Sequence, residues 1–352
     1  MEFLLDYGLF LAKVLTFAVA VIVVLLIVKS AGGKHGPKGE LEITNLTEKH
    51  KDLIHSMESH LYDEAVLKAR DKADKKAEKA KAKEAKAEAK KMTDKASLEQ
   101  SRKPHVFVVD FKGSIDAREV ASLREEVTAI LAVAKAGDEV LVRLESGGGM
   151  VHAYGLASSQ LDRIKQAGIP LTVAVDKVAA SGGYMMACVA DKIVAAPFAV
   201  VGSIGVIAQL PNFNKLLKKH DIEFEQLTAG EFKRTLTMFG ENTDKAREKF
   251  LTELEETHAL FKQFIADHRP SLDLEKVATG EHWFGNQALP LGLIDSIGTS
   301  DDYLVSAVKE KDVLGVKYVQ RKKLAEKLAG ASADVLDRVL LKWISRGQRP
   351  IV

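Results

Sequence analysis

The chain has 352 residues, 28% of them charged and 46% hydrophobic, and its 51 basic against 49 acidic side chains leave a formal net charge of +2. That length suggests about two domains of ordinary size, and so neutral a balance argues against a dedicated nucleic-acid binder, which carries a strong basic excess. One cysteine, Cys188, excludes an intramolecular disulfide and any cysteine-clustered zinc site.

The averages hide strong segregation along the chain. From Tyr7 to Val28 the sequence is YGLFLAKVLTFAVAVIVVLLIV, with Lys13 its only charge. A helix of that length spans roughly 33 Å, against about 30 Å of bilayer hydrocarbon. Residues 1–30 are therefore expected to hold a transmembrane anchor, with Lys13 snorkelling to the headgroups. The acidic start (Glu2, Asp6) and the long apolar core speak against a cleaved signal peptide. Lys29, Lys34 and Lys38 follow the run, and the positive-inside tendency then places the rest of the chain in the cytoplasm.

Residues 31–103 read as a charged spacer. Between Lys68 and Lys95 there are 12 basic and 6 acidic residues, and Ala, Lys and Glu dominate. These are strong helix formers, but no sustained apolar stripe exists to bury, so a solvated helix is expected. No aromatic residues are interleaved with the lysines, which again argues against nucleic acid.

The pattern changes at Pro104, where a domain expected to cover residues 104–315 begins. HVFVVDF (His105 to Phe111) reads as a buried strand. Val120, Leu123, Val127, Ile130, Leu131 and Ala134 fall at helical spacing, with Gly137 placed to end that helix. EVLVRL (Glu139 to Leu144) is a second strand, Val151 to Ala167 a helix stopping at Gly168, and PLTVAVD (Pro170 to Asp176) a third strand. Strands alternating with helices predict an α/β fold with a mostly parallel sheet and function in the strand-end loops. The apolar stretch from Leu171 to Leu210 is interrupted by Asp176, Lys177, Asp191 and Lys192, so buried strands and a short helix account for it better than a second membrane span. Residues 316–352 form a basic tail, in which Arg321 to Trp343 has the spacing of an amphipathic helix.

Two strand-to-helix loops carry chemistry. Glu145-Ser146-Gly147-Gly148-Gly149-Met150 has three glycines that permit close backbone approach at a helix amino terminus, suited to an oxyanion, although a plain tight turn gives the same pattern. Ala179-Ala180-Ser181-Gly182-Gly183-Tyr184 sets a serine among small residues, as in a nucleophile elbow, although a helix cap gives the same pattern. A serine needs a base. His220, His258, His268 and His282 lack a recognisable strand-end setting, and His152, just after the glycine loop, reads as a helix-start residue rather than a base; the alternative base is a lysine whose pKa burial has lowered. Lys177 and Lys192 read as surface lysines.

The run from Val106 to about Gly298 resembles the signal peptide peptidase A family, membrane-bound Ser-Lys peptidases with a ClpP/crotonase-type fold, a spiral of β-β-α units. Its A-S-G-G-Y elbow is matched by Ala180 to Tyr184, which implies Ser181 as nucleophile. Its A-G-x-[FY]-K segment is matched by Ala229 to Lys233, 52 residues after Ser181, which implies Lys233 as general base. Its G-S-I-G-V segment is matched by Gly202 to Val206, implying that Ser203 orients the lysine. Its E/N-S-P-G-G loop is matched by Glu145 to Gly149, with Gly147 in place of proline. Gly280 to Asp295 is also similar to the family. The resemblance implies an oxyanion hole from the amides of Gly148, Gly149 and Gly182, no cofactor, and an acyl-enzyme route. It further implies peptide substrates from signal-peptide remnants or membrane-derived and unfolded chains, a location in the bacterial inner membrane and a homo-oligomeric ring. Two rival readings on the same fold are a non-catalytic membrane scaffold, which has no need of Ser181 and Lys233 at this spacing, and a crotonase-type acyl-CoA enzyme, which an anchor does not suit.

Overall fold

The computed structural model describes residues 39–69 and 102–320, with scattered positions at 7–17 and 72–83. Residues Leu41–Tyr318 form one compact unit. In chain order its elements are β1 (Glu40–Asn45), α1 (Leu46–Leu61), β2 (His105–Lys112), α2 (Val120–Val133), β3 (Glu139–Glu145), α3 (Val151–Gln166), β4 (Leu171–Val175) and β5 (Val178–Ala180). They continue with α4 (Gly182–Ala187), β6 (Lys192–Ala195), β7 (Val200–Gly202), α5 (Asn214–Lys219), α6 (Asp244–His268), α7 (Leu274–Val277), β8 (His282–Phe284), α8 (Gly285–Ala288), β9 (Ser296–Ile297), α9 (Ser300–Glu310) and β10 (Asp312–Val319).

Among the described residues a seven-stranded sheet runs in the order β1-β10-β2-β3-β4-β6-β9, and a three-stranded sheet in the order β5-β7-β8. From β10 across to β9 every neighbouring pair of the large sheet is parallel. The fold is thus mixed α/β with a mostly parallel sheet, as the alternation of strands and helices predicted. A repeat is visible in the middle of the chain. β4 enters the large sheet, β5 the small one, and α4 follows; β6 and β7 then repeat that assignment.

The strands read as unbroken apolar runs because both faces of the large sheet are covered. Phe107, Val109 and Phe111 of β2 face a core completed by Leu123, Val127 and Ile130 of α2 and Leu161 and Ile164 of α3. The alternate residues Val106 and Val108 join Leu141, Ala174 and Val313 on the other face, against Leu46, Tyr303 and Leu304. Leu171 to Leu210 resolves into buried strands and the wholly buried α4, not a span. Cys188 is fully buried.

Several boundaries differ from expectation. Residues 40–61, expected within the 31–103 spacer, belong to the fold: β1 lies beside β10, and Thr47 Oγ1 accepts the Val313 amide at 2.8 Å. The unit therefore starts at Leu41 rather than at Pro104. At the other end the expected limit of 315 falls inside β10, which pairs with β2 through Gly315 opposite Val108. Gly137 does not end α2, which stops at Val133; with φ +92° it makes the turn into β3. Most of the apolar run 7–28, much of the rest of the spacer, and Arg321 to Trp343 lie outside the described residues. Among the described residues no helix is long and apolar enough to cross a membrane.

Candidate active site

The site begins with strand register. β5 and β7 are parallel and set Ala180 opposite Gly202. One residue further on each chain stand Ser181 and Ser203, with φ of +52° and +51°. L-residues avoid this region, so the surrounding structure must enforce it. The Ser181 amide donates to Gly202 O at 2.8 Å, and the Ser203 amide to Glu281 O at 2.7 Å. Ser181, with ψ −119°, forms the sharp turn between β5 and α4, and its carbonyl accepts the Met185 amide at 3.0 Å. The turn has the sharp, strained strand-to-helix geometry of a nucleophile elbow, without the G-x-S-x-G pattern.

The glycine loop leaves β3 and is stitched to β5. The Ser146 amide donates to Val178 O at 2.8 Å and the Ala180 amide to Ser146 O at 3.0 Å. Gly148 has φ +88°, and a side-chain carbon added there would come within 2.7 Å of both Gly182 N and Ser181 Cβ. A side chain at Gly149 would collide with the Ile115 carbonyl. Both glycines are needed for contact, not only for turning. At the start of the loop Glu145 holds Lys112 at 3.0 Å and Lys177 at 3.5 Å. These partners, Lys112 foremost, keep its carboxyl below the usual range, and Lys177 is thereby an exposed ion-pair lysine, as expected.

The three expected oxyanion donors are not equivalent. The Gly148 amide donates to Ser146 Oγ at 3.1 Å. The amides of Gly149 and Gly182 have no protein acceptor among the described residues. Gly182 is the first residue of α4, immediately after Ser181.

Ser181, Gly149, Met185, Val206, Thr257 and Phe261 line a recess of about 10 Å³, room for roughly one water. Thr257 and Phe261 come from α6, which the sequence reading did not connect with the site. A signal existed: Phe250, Leu254, Phe261, Phe264 and Ile265 recur at helical spacing along α6, and Phe261 and Ile265, one turn apart, are buried. Tyr154 was also missed; a buried tyrosine hydroxyl requires a partner, and here the partner lies in the glycine loop.

Lys233 does not line this recess. It sits in an irregular, exposed stretch, its amide donating to Gly230 O at 3.2 Å, without the apolar enclosure expected for it. Two histidines are nearer the elbow than their sequence context implied. His282 lies opposite Gly202 in the β7–β8 pair, and His258 Nε2 is 3.2 Å from Ile204 O. Neither lines the recess; His282 is exposed, and His258 is engaged with a backbone carbonyl. His152 and His220 are exposed, while His268 lies 3.5 Å from Asp162.

The parallel α/β scaffold carries a strained serine at a strand-to-helix turn, and comparison with known proteins defines the class as protease. Residues 2–161 match the model of the peptidase family S49 N-terminal region and residues 163–314 that of peptidase family S49. The chain belongs to peptidase family S49. It is 52% identical over 349 residues to a probable protease SohB of Haemophilus influenzae, covering 99% of this chain and 98% of that protein. A probable protease SohB of Buchnera aphidicola subsp. Acyrthosiphon pisum is 59% identical over 245 residues, 70% of this chain and 73% of that one. A solved membrane-bound stomatin-specific protease in complex with a substrate peptide is 16% identical, with a TM-score of 0.39, covering 66% of this chain and 99% of that one.

Proposed function

We propose that this protein is a membrane-anchored serine endopeptidase of the ClpP/crotonase-type spiral, acting through a Ser181–Lys233 dyad and an acyl-enzyme. The observation that carries the proposal is the strained backbone of Ser181 (φ +52°, ψ −119°) with the free Gly182 amide beside it. Such strain persists where geometry is held for function.

In the first step Ser181 Oγ gives its proton to neutral Lys233 Nζ and bonds to the scissile carbonyl carbon. The oxyanion is bound by the Gly182 and Gly149 amides. Lys233 then protonates the departing amine as the C–N bond breaks. In the second step water loses a proton to Lys233, attacks the acyl carbon, and Ser181 leaves with that proton. Ser203 holds the amine in line, which its position one residue past the Ala180–Gly202 pair supports.

A neutral lysine requires an apolar enclosure, and the exposed setting of Lys233 calls for a covering surface. The same stretch exposes Ile207, Phe224, Leu227 and Phe239, an apolar surface that bound peptide and a neighbouring copy in a ring would cover. The substrates are signal-peptide remnants and other membrane-derived or unfolded peptides. The apolar run 7–28 supports this, because an anchor in the bacterial inner membrane concentrates the site where such peptides arise. The charge bias around that run favours a cytoplasmic site.

Digestion of defined apolar peptides by the full-length protein tests the proposal. Cleavage by wild type that is abolished in a folded Ser181→Ala variant supports it; equal cleavage by the two proteins overturns it.

A further inference from the structure

A loop of three consecutive glycines has little intrinsic rigidity, yet oxyanion donors act by being fixed before the reaction. Something must order residues 147–149. The structure offers one continuous chain of hydrogen bonds beneath them. Tyr154, fully buried on α3, donates its hydroxyl proton to Ser114 O at 2.8 Å. A carbonyl only accepts, so the tyrosine has no second proton to give. The 2.5 Å contact between Ser146 Oγ and Tyr154 Oη therefore has Ser146 as its donor. Ser146 Oγ is left to accept, and it accepts the Gly148 amide at 3.1 Å. The polarity of the chain is thus set from its far end.

The same tyrosine also touches the other half of the site. Gly182 lies so close to the Tyr154 ring that a side chain there would collide with it, and one at Gly183 would come within 2.5 Å of Ser146 O. One residue pair consequently supports both the glycine loop and the elbow. Burial raises the Tyr154 hydroxyl pKa, with the Ser146 hydrogen bond opposing, so the hydroxyl stays protonated.

We infer that Tyr154 and Ser146 are positioning residues for the oxyanion site: their hydroxyl relay locks the Gly148 amide inward and thereby aims the Gly149 and Gly182 amides. This rests on the peptidase reading above and deepens it. Neither residue touches substrate; both act through the backbone they hold.

The test is peptide kinetics on Tyr154→Phe, Ser146→Ala, Ser146→Thr and the double Tyr154→Phe/Ser146→Ala, with Ser181→Ala alongside. Tyr154→Phe keeps the ring against Gly182 and removes only the hydroxyl. It is expected to lower kcat by about 10- to 100-fold, a fraction of what deleting an oxyanion donor costs, with KM changed little. Ser146→Ala should do the same, and Ser146→Thr, which keeps the hydroxyl, should recover most of the rate. Because the two hydroxyls form one relay, the double variant should lose no more than the worse single. Wild-type kcat in Tyr154→Phe, or kcat losses that multiply and follow the fall in Tm, would overturn the inference. If Ser181→Ala retains full activity, the peptidase assignment has failed instead, so the two failures are distinguishable.

Discussion

Replacing Gly148 by alanine perturbs the point where the glycine loop meets the elbow. The new carbon would lie 2.7 Å from Gly182 N, 2.7 Å from Ser181 Cβ and 2.8 Å from Ala180 O, where ordinary contact begins at 3.4 Å. The loop and elbow must therefore separate by about 0.7 Å, at an overpacking cost of about 1–3 kcal/mol. Holding an L-residue at the observed φ of +88° adds about 1–2 kcal/mol. The sum, about 2–5 kcal/mol, corresponds to a drop in Tm of roughly 5–10 °C. Catalysis should suffer more than stability, since displacement on the scale of 1 Å costs about 100-fold in rate. Gly147→Ala is the matched control, because an added carbon there meets no atom within 4 Å. Thermal melts and kcat/KM on a fluorogenic peptide measure both effects. A Gly148→Ala protein as stable and as active as Gly147→Ala would refute the close-approach argument.

Burial pushes the Glu126 carboxyl up to about 7 from its ordinary 4.5, with the Tyr318 amide donating to it. The folded protein thus keeps a proton that the unfolded chain releases, and stability falls as pH rises between those values, by on the order of 3 kcal/mol. Glu126→Gln retains the acceptor and removes the titration, so it should melt above wild type near pH 8 and level with it near pH 4.5; equal melts at both would refute this. Burial raises the Cys188 thiol to about 12, so maleimide should label it only after denaturation and should leave peptide cleavage unchanged. Gly155 lies inside α3 with open space where a side chain would go. Gly155→Ala should raise stability by up to about 1 kcal/mol in a melt, without loss of activity.

The inner strands were legible because apolar residues run through them without interruption, and β2, β3 and β4 are bounded by Pro and Gly signals. β1 was hidden for the opposite reason. ELEITN is short and mostly exposed, and its partner β10 lies more than 260 residues away, as the Thr47–Val313 bond shows. Local pattern cannot report a long-range pairing at a sheet edge. The same holds for His282, whose strand is three residues long yet sits opposite Gly202. At the site, spacing and small residues announced the turn at Ser181, but its φ of +52° is imposed by β7 and α4. Gly148 was expected as an oxyanion donor; its amide is engaged by Ser146 Oγ, which also meets the Tyr154 hydroxyl from α3, a partner outside the glycine-loop motif. Enclosure of Lys233 was read from chemical need, and a need does not fix where a chain segment lies.

The most direct test of the central claim is covalent. Full-length protein treated with a serine-directed fluorophosphonate, digested and mapped by mass, should carry the adduct on Ser181. A folded Lys233→Ala variant should react at least about 100-fold more slowly, since an unassisted serine hydroxyl is a weak nucleophile. An adduct on another serine, or an undiminished rate at Ser181 without Lys233, would contradict the proposed dyad.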